Sequence, residues 1–559
     1  MNILGLAGFS HDAAAALLCD GQIVAAAEEE RFNLVKHTPA FPRRAIAWCL
    51  EHAGLSLRDV DAVAFYAQIW QGVGKPLGQW IRGFGDGTTA FAIRHEMLPL
   101  LLPNLRPSWS AIRTAAVVRR IYFIKHHLAH AASAFFASPF EEAAILSVDR
   151  FGEQTSTLLA LGTGNTIMPL AQVMAPHSLG TLYMVITRYL GFPNTGDEGK
   201  VMGLAPYGQP RFQEHFDRWV RLTQDGFEID TATIRLPFGP DLVASLGPPR
   251  SSGEPLTERH ADIAASLQHT LEQVLLHMLD RLYALTDTPN LCLAGGVALN
   301  CVANARLAEE GPFGRVWIQP AANDAGTSLG AALWVHHMID HQPRTWTMTS
   351  PYLGPTYDDE ACRAALDARS IPYQRPDNLP VTVAHLLAQG QILGWYQGGL
   401  EFGPRALGNR SILADPRRDD MKDILNARVK HRESFRPFAP VVLAERVGEY
   451  FNPPTLNPFM LFTHRVLHPD IIPAVTHVDS TARVQTVSRD TNPTFYDLLS
   501  AFGHITGVPV LVNTSFNVRG QPIVRTPDEA ITTFLGTDLD ALALGPFLVQ
   551  KDALQHLAQ

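Results

Sequence analysis

Asn2-Ile3-Leu4-Gly5-Leu6-Ala7-Gly8-Phe9-Ser10-His11-Asp12-Ala13-Ala14-Ala15-Ala16-Leu17-Leu18-Cys19-Asp20-Gly21-Gln22-Ile23-Val24-Ala25-Ala26-Ala27-Glu28-Glu29-Glu30 opens the chain, and its punctuation decides the fold. Asn2 to Ala7 is a short apolar run, Gly8 to Asp12 a turn, and Ala13 to Cys19 a second run. Asp20-Gly21 is a two-residue hairpin signal, because both positions of the favoured turn need a positive φ. Gln22 to Ala27 is the third run. A helix is expected from about Pro42 to His52, with proline near its first turn and Gly54 just past its end. The charge run Glu28-Glu29-Glu30-Arg31 reads as a solvated strand end.

The same layout returns further on. Ala143 to Val148 is a buried-type strand ending at Asp149, followed by a turn with Gly152 and a second run from Thr155 to Leu161. Gly162-Thr163-Gly164-Asn165 makes the next turn before Thr166 to Val173. Two strand-turn-strand-turn-strand units predict a duplicated fold whose halves enclose a cleft. A long helical pattern over about 260–286, strands at Asn290–Leu293 and Arg315–Ile318, and a helix after Asn323-Asp324-Ala325-Gly326 complete an α/β layer fold. Pro343, Pro351, Gly354 and Pro355 break the pattern, so the reading divides the chain into residues 1–345 and 352–559, the second a further α/β unit. Residues 69–120, rich in Gly, Trp, Pro and Arg, read as an insertion. Its Trp70, Trp80, Arg82 and Trp109 suit an acceptor surface or a core equally.

Composition narrows the class. With 559 residues, 46% hydrophobic and 18% charged, the chain is an ordinary globular protein too long for one core. A net charge of -9 argues against a general nucleic-acid binder. No apolar run approaches a membrane span. No Lys or Arg precedes Arg31, which speaks against a signal peptide. Five scattered cysteines without a Cys-x-x-Cys pair suit free thiols in a reducing compartment. The expectation is a cytoplasmic enzyme or binding protein, without nucleic acid or membrane as partner.

Three constellations carry chemistry. His126 and His130 stand four apart at the start of an Ala-rich helix, so both imidazoles leave one face. Such a pair alone also fits histidines capping neighbouring carbonyls. Asp149 and Asp324, at turns after strands, turn it into a set suited to iron(II) or another divalent ion. Gly295-Gly296-Val297-Ala298-Leu299-Asn300 lies between a strand and a helix, where an anionic group meets a helix N-terminus. Gly196 to Gly208 contains Lys200, a candidate point charge for phosphate, and Gly203. Neither segment is a P-loop or a Rossmann fingerprint. Arg428, Lys430, Arg432 and Arg436 fall within nine residues, interleaved with Phe435 and Phe438. With Arg483 and Arg519 they could clamp phosphate oxygens. Surface salt bridges or an RNA strip would use the same residues. His11 at the cleft rim could take a proton from a hydroxyl, since its pKa lies near working pH. The alternative there is a turn histidine bonded to backbone.

These residues resemble one family. Ile-Leu-Gly-Leu with His11-Asp12, Ala-Glu-Glu-Glu-Arg-Phe, His126 to Phe135, Gly295 to Asn300, Asn323 to Ala332, Phe402 to Ser411, Arg432 to Pro440 and Asn513 to Asn517 look like the NodU/CmcH O-carbamoyltransferases. The resemblance implies a TsaD-like N-terminal domain of the actin/Hsp70-type (ribonuclease-H-like) duplicated fold and a YrdC-like α/β C-terminal domain. It implies that the C-terminal domain makes carbamoyl adenylate from carbamoyl phosphate and ATP, the ATP with Mg(II). The carbamoyl group then passes to a hydroxyl of a small natural product of antibiotic, sugar or polyketide type in an N-terminal domain holding Fe(II) or another divalent metal. Carried over by motif, His126, His130, Asp149 and Asp324 hold the metal and His11 is the base. Lys430 and Arg436, as catalytic cations that meet developing negative charge, bind carbamoyl phosphate and the ATP phosphates with Arg483 and Arg519, and Arg432 and Asn513 are further phosphate-binding candidates. Gly295, Gly296 and Asn300 in their matching motif, with Lys200 and Gly203 from the residue reading above, are the candidates for the nucleotide. A monomer or homodimer is expected. The chain departs from the family at Arg150, where Asp-Gly-x-Gly-Glu is usual and Asp149-Arg150-Phe151-Gly152-Glu153 stands, which bears on contacts to the adenylate. A tRNA threonylcarbamoylation enzyme and a nucleotide-binding regulator are the alternatives. Acidity argues against the first, the intact His pair and basic set against the second.

Overall fold

The computed structural model describes residues 1–67 and 120–555. All of the expected insertion except Arg120 lies outside the described residues, Trp70, Trp80, Arg82 and Trp109 included. β1 (Asn2–Ala7), β2 (Ala14–Cys19), β3 (Gln22–Glu28), β4 (Ala62–Phe65) and β5 (Arg120–Phe123) form one sheet in the order β3-β2-β1-β4-β5. The first three strands are antiparallel, and β4 and β5 add in parallel. Asp20 and Gly21 have φ of 47° and 85°, the left-handed pair that the hairpin signal demands.

The second half repeats this plan. β6 (Glu142–Gly152), β7 (Thr155–Thr163) and β8 (Thr166–Met174) are antiparallel. A small hairpin of β9 (Val220–Thr223) and β10 (Gly226–Ile229) precedes the helix Glu258–Thr286, and β11 (Asn290–Ala294) and β12 (Arg315–Ile318) then join β6 in parallel. The order β8-β7-β6-β11-β12 is that of the first sheet. Each half ends in a helix after its fifth strand, His126–Phe135 in one and Asp324–Trp334 in the other. These equivalent helices pack backbone to backbone. A Cβ on Gly330 would lie 1.9 Å from the Ala129 carbonyl oxygen, and one on Gly5 would lie 1.9 Å from that of Ser328. The duplicated fold expected from the turn pattern is therefore present, in the actin/Hsp70-type arrangement that the family resemblance implies.

The C-terminal unit is built on a seven-stranded mixed sheet. In chain order its strands are β13 (Leu393–Tyr396), β14 (Arg410–Ala414), β15 (Ala439–Leu443), β19 (Gln485–Val487), β20 (Val510–Ser515), β21 (Ala541–Leu544) and β22 (Phe547–Gln550). Their spatial order is β19-β15-β20-β14-β13-β21-β22. β16 (Phe451–Asn452), β17 (Thr463–Val466) and β18 (Thr481–Arg483) form a separate small sheet. Helices Leu379–Ala388 and Pro493–Thr506 cover one face of the large sheet through Val383, Leu387, Leu498 and Phe502. Helices Asp359–Asp367 and Pro527–Leu535 cover the other through Leu366, Ile531 and Phe534. Sequence fixes the starts of the proline-led helices. Asn378, Asn492 and Thr526 each accept a hydrogen bond from the backbone of the first turn, and the prolines that follow lack an N–H to leave unpaired. No described helix is long and apolar enough to cross a membrane.

Glu28, Glu29, Glu30 and Arg31 are all buried, which corrects their reading as a solvated strand end. Arg31 lies 3.1 Å from Glu28 and 2.9 Å from Glu30, and it donates to the Gly403 carbonyl at 2.9 Å. Gly403 N–H donates back to Glu28. The run is the latch between the N-terminal fold and the C-terminal unit. A fully buried charge is tolerable only when paired and hydrogen-bonded in this way.

Candidate active site and metal centre

The crossing of the two equivalent helices brings four side chains together. His126 opens the first helix and His130 follows one turn later. Asp324 opens the second helix, and Asp149 lies in β6 where its register with β7 shifts. Asp149 Oδ2 is 3.2 Å from His126 Nε2 and 3.0 Å from His130 Nε2, and Asp324 Oδ1 is 3.7 and 3.6 Å from the same atoms. Donors bound about 2.1 Å from a divalent ion sit about 3.0–3.4 Å apart, so two of these spacings fit and two need only a slight contraction. All four residues are buried, and their ligand atoms lie within 4.8 Å of one another. Two imidazoles and two carboxylates suit iron, manganese, cobalt or zinc. Gly152 is part of this construction, since a Cβ there would fall 2.2 Å from the His126 side chain.

Sequence reading missed the outer partners. Ser10 Oγ donates to Asp324 Oδ2 at 2.9 Å and lies 2.8 Å from the Tyr66 hydroxyl, whose ring meets His126 edge-on. Glu153 accepts from the His126 backbone N–H. Only chemistry could have flagged Ser10, a small hydroxyl one residue before His11. His11 itself has Nδ1 3.1 Å from Asp12 Oδ2 and 3.8 Å from Asp324 Oδ2. Burial opposes its charged form, but Asp324 and Asp12 outweigh burial and raise its pKa to about 10.

A cavity of about 440 Å³ opens above this cluster. His11, Asp149 and Gly296 line it, as do Arg405, Arg432, Arg436 and Arg483. The four guanidinium groups repel one another. Burial first, and then Arg483 and Arg436, depress Arg405 to about 9. Burial followed by Arg436 and Arg483 brings Arg432 to about 9 as well. Among the described residues the buried Nε atoms of Arg405 and Arg483 have no acceptor, and Asn513 Oδ1 has no donor. Buried donors left open beside like charges are the mark of an anion site. Arg405 lies inside the Phe402 to Ser411 motif, where a lone cation between Pro404 and Ala406 gives no local sign of a basic cluster.

Other candidates sit elsewhere. Lys430 lies beneath the cavity wall, with Nζ donating to the Ser515 carbonyl and, at 3.0 Å, to the Asn517 carbonyl and Oδ1. Arg519 is exposed and reaches the His431 carbonyl, and Arg428 pairs with Asp540. None of the three lines the cavity. Lys200 is held 2.9 Å from Asp197 and 3.4 Å from Glu433, off the cavity wall. Gly203 and Asn300 line it. Gly295 does not, and its missing side chain is explained by packing, since a Cβ would fall 2.1 Å from the Val148 carbonyl oxygen. Asn300 caps the helix Cys301–Glu310 through Ala303 N–H and bonds Gln268. Arg150 lines the cavity with its guanidinium 3.7 Å from Met184 Sδ and 5.2 Å from the Phe151 ring centre.

Residues 2–333 match the family described as "Carbamoyltransferase N-terminus", and residues 384–551 match "Carbamoyltransferase C-terminus". Nodulation protein NolNO of Sinorhizobium fredii is 42% identical over 97% of this chain and 79% of its own length. Nodulation protein NolO of Bradyrhizobium diazoefficiens is 45% identical over 77% of this chain and 79% of its own. An uncharacterized protein of Synechocystis sp. is 42% identical over 99% and 97%. Among solved structures, full-length HypF in the phosphate- and nucleotide-bound form is 14% identical with a TM-score of 0.34, covering 62% of this chain and 56% of that one. Component A of the (R)-2-hydroxyglutaryl-CoA dehydratase of Acidaminococcus fermentans gives 16% and 0.34, over 60% and 97%. Likenesses so distant carry no argument about activity. The two matched segments and the relatives aligned along nearly the whole length decide the matter: the protein belongs to the carbamoyltransferase family, an enzyme that passes a carbamoyl group to an acceptor.

Proposed function

We propose that the protein is an ATP-dependent O-carbamoyltransferase whose two half-reactions share one cavity. The observation that supports this most directly is that four guanidinium groups line the same cavity as His11 and Asp149. In the first half-reaction water cleaves carbamoyl phosphate to phosphate and carbamate. A carbamate oxygen then attacks the α-phosphorus of ATP, and pyrophosphate leaves. Arg405, Arg432, Arg436 and Arg483 bind the phosphate oxygens and meet the charge that develops on them, with Asn513 beside them. Lys430 braces the Ser515–Asn517 loop beneath. Residues 352–559 carry this step, and the product reaches residues 1–345 within the same cavity.

In the second half-reaction the acceptor oxygen attacks the carbamoyl carbon and AMP leaves. His11 takes the hydroxyl proton, while Gly203, Gly296 and Asn300 line the nucleotide's path. A divalent ion, Fe(II) in this reading, held by His126, His130, Asp149 and Asp324 would polarise the carbamoyl carbonyl and, by offsetting the two carboxylates, lower the proton affinity of His11. The acceptor is a small hydroxylated natural product, and the setting is cytoplasmic.

The test mixes protein, ATP, carbamoyl phosphate and iron(II) without oxygen and looks for pyrophosphate and carbamoyl adenylate. Arg436→Ala is expected to abolish both, whereas His11→Ala keeps both and loses only transfer. Absence of adenylate in the wild-type reaction, or equal loss of both steps in both variants, refutes the scheme.

A further inference from the structure

The turn that carries His11 also carries side chains that the chemistry above leaves unused. Asp12 is buried and lies between two histidines. Its Oδ2 is 3.1 Å from His11 Nδ1, and its Oδ1 is 2.6 Å from His37 Nδ1. A carboxylate only accepts, so both rings carry their hydrogen on Nδ1 toward it. For His11 that leaves the Nε2 edge to the cavity it lines.

His37 is in turn fixed from two further sides. Its backbone N–H donates to Glu30 Oε2 at 2.7 Å, and the other oxygen of Glu30 meets Arg31 at 2.9 Å. Its Nε2 lies against Gly196, where a Cβ would come within 2.4 Å of it. Asp12 and His37 adopt φ of 54° and 53°, a left-handed conformation that costs a non-glycine residue about 1 kcal/mol or more. Two such residues facing each other in one hydrogen bond are a held geometry, one that a relaxed loop would not keep.

We propose that Asp12 and His37 are positioning residues for the transfer step: Asp12 fixes the His11 ring with Nδ1–H inward and the Nε2 lone pair toward the acceptor hydroxyl, and His37 fixes Asp12. The proposal rests on the reading of His11 as the proton acceptor. Asp12, Glu30 and His37 also come within 4.8 Å of one another, a spacing open to a cation. Both oxygens of Asp12 already face N–H donors, however, and those of Glu30 face the His37 N–H and Arg31. Positioning accounts for all of these contacts.

The experiment uses the full chain and separates the two steps. Activation is read as pyrophosphate release, and transfer as AMP release from preformed carbamoyl adenylate, with glycerol and water as the hydroxyl nucleophiles. Asp12→Asn, which keeps the shape but turns an amide donor toward one ring, is expected to slow AMP release about 100-fold, the usual worth of a positioned base. Its pyrophosphate release should stay within about twofold of wild type. His37→Leu should slow AMP release about tenfold. His37→Asn, whose amide can replace the Nδ1 donor, should restore most of that rate. In ¹⁵N-histidine-labelled protein, two slowly exchanging Nδ1–H signals assigned to His11 and His37 are expected, with at least one lost in Asp12→Asn. AMP release unchanged in Asp12→Asn and His37→Leu overturns the proposal, as does His37→Asn behaving like His37→Leu. A second equivalent of bound Mn(II) that His37→Leu abolishes would assign the cluster to a cation instead. If the wild-type protein releases no pyrophosphate, the activation scheme fails, and the two imidazole signals still decide whether the Asp12 bracket exists.

Discussion

Metal binding to the four-residue cluster should be tightly linked to pH. Burial of His130 opposes its charged form, but its hydrogen bond to Asp149 and the adjacent charge of Asp324 outweigh burial and raise its pKa to about 9. The proton that these contacts favour sits on Nε2, 3.0 Å from Asp149 and 3.6 Å from Asp324. Nε2 is the atom a metal would need. At pH 7 the ring is about two units below its pKa, so expelling the proton costs about 2.7 kcal/mol, or about 100-fold in apparent affinity. Affinity for zinc or manganese should therefore rise about tenfold per unit between pH 7 and 9 and level off above that. Asp149, held well below the usual carboxylate range despite burial by its bonds to His126 and His130, contributes no proton at these pH values.

Calorimetry at pH 7 in two buffers of different ionisation enthalpy measures the protons released, with about one expected per metal from His130 and up to a second from His11, whose proton affinity the ion lowers. The metal-free protein supplies a second reading of the same group. A histidine whose pKa is raised on folding stabilises the fold fully below about 6.5, and that contribution is lost as pH rises through about 9. Stability of the metal-free protein should fall across that window, and saturating metal should remove the slope. An affinity independent of pH between 7 and 9, with no proton released, would refute the assignment of His130 Nε2 as a ligand facing two carboxylates.

Two further outcomes follow from buried charge. Arg31→Met strands Glu28 and Glu30 without their cation in a dry interface, and urea unfolding should show a loss of about 3–5 kcal/mol, much of it recovered in Arg31→Met with Glu28→Gln. Arg405→Met relieves repulsion among four guanidinium groups, so the ligand-free protein should melt higher by calorimetry. The same variant should lose most of the stabilisation that added pyrophosphate gives to the wild type.

The duplicated fold was legible because it is written in turns. Asp20-Gly21 and Gly164-Asn165 stand at the equivalent hairpin of each half, between its second and third strands, and strand order follows once each half closes with parallel additions. The meeting of His126 and His130 was legible for a related reason, since two histidines one helical turn apart announce a shared face. The guanidinium cluster was only half legible. Arg432, Arg436 and Arg483 stand in a visibly basic context, whereas Arg405 is a single cation in a Gly/Pro-rich loop, and its role depends on a fold that brings residues 78 apart in sequence to one cavity. Lys430 misleads for the opposite reason. Its neighbours in sequence line the cavity, but its own position points it under the wall, where Ser515 and Asn517 absorb its three protons.

The Glu28–Arg31 run shows where sequence reasoning must fail on physical grounds. Four consecutive charges are normally solvated, because burying them alone costs far more than folding returns. Here the cost is met by partners up to 375 residues away, Gly403 donating to Glu28 and accepting from Arg31, and no local pattern can announce a partner so remote. The placement also has a consequence for chemistry. Glu30 is shared between Arg31 and the His37 backbone, and His37 holds the Asp12 that faces His11. Docking of the C-terminal unit through Gly403 and orientation of the candidate base are thus joined by a chain of hydrogen bonds and the Arg31–Glu30 ion pair. A change at Gly403 that spares every cavity residue should then disturb the His11 Nδ1–H signal, and if that signal stays unmoved while the latch is broken, the chain carries no coupling.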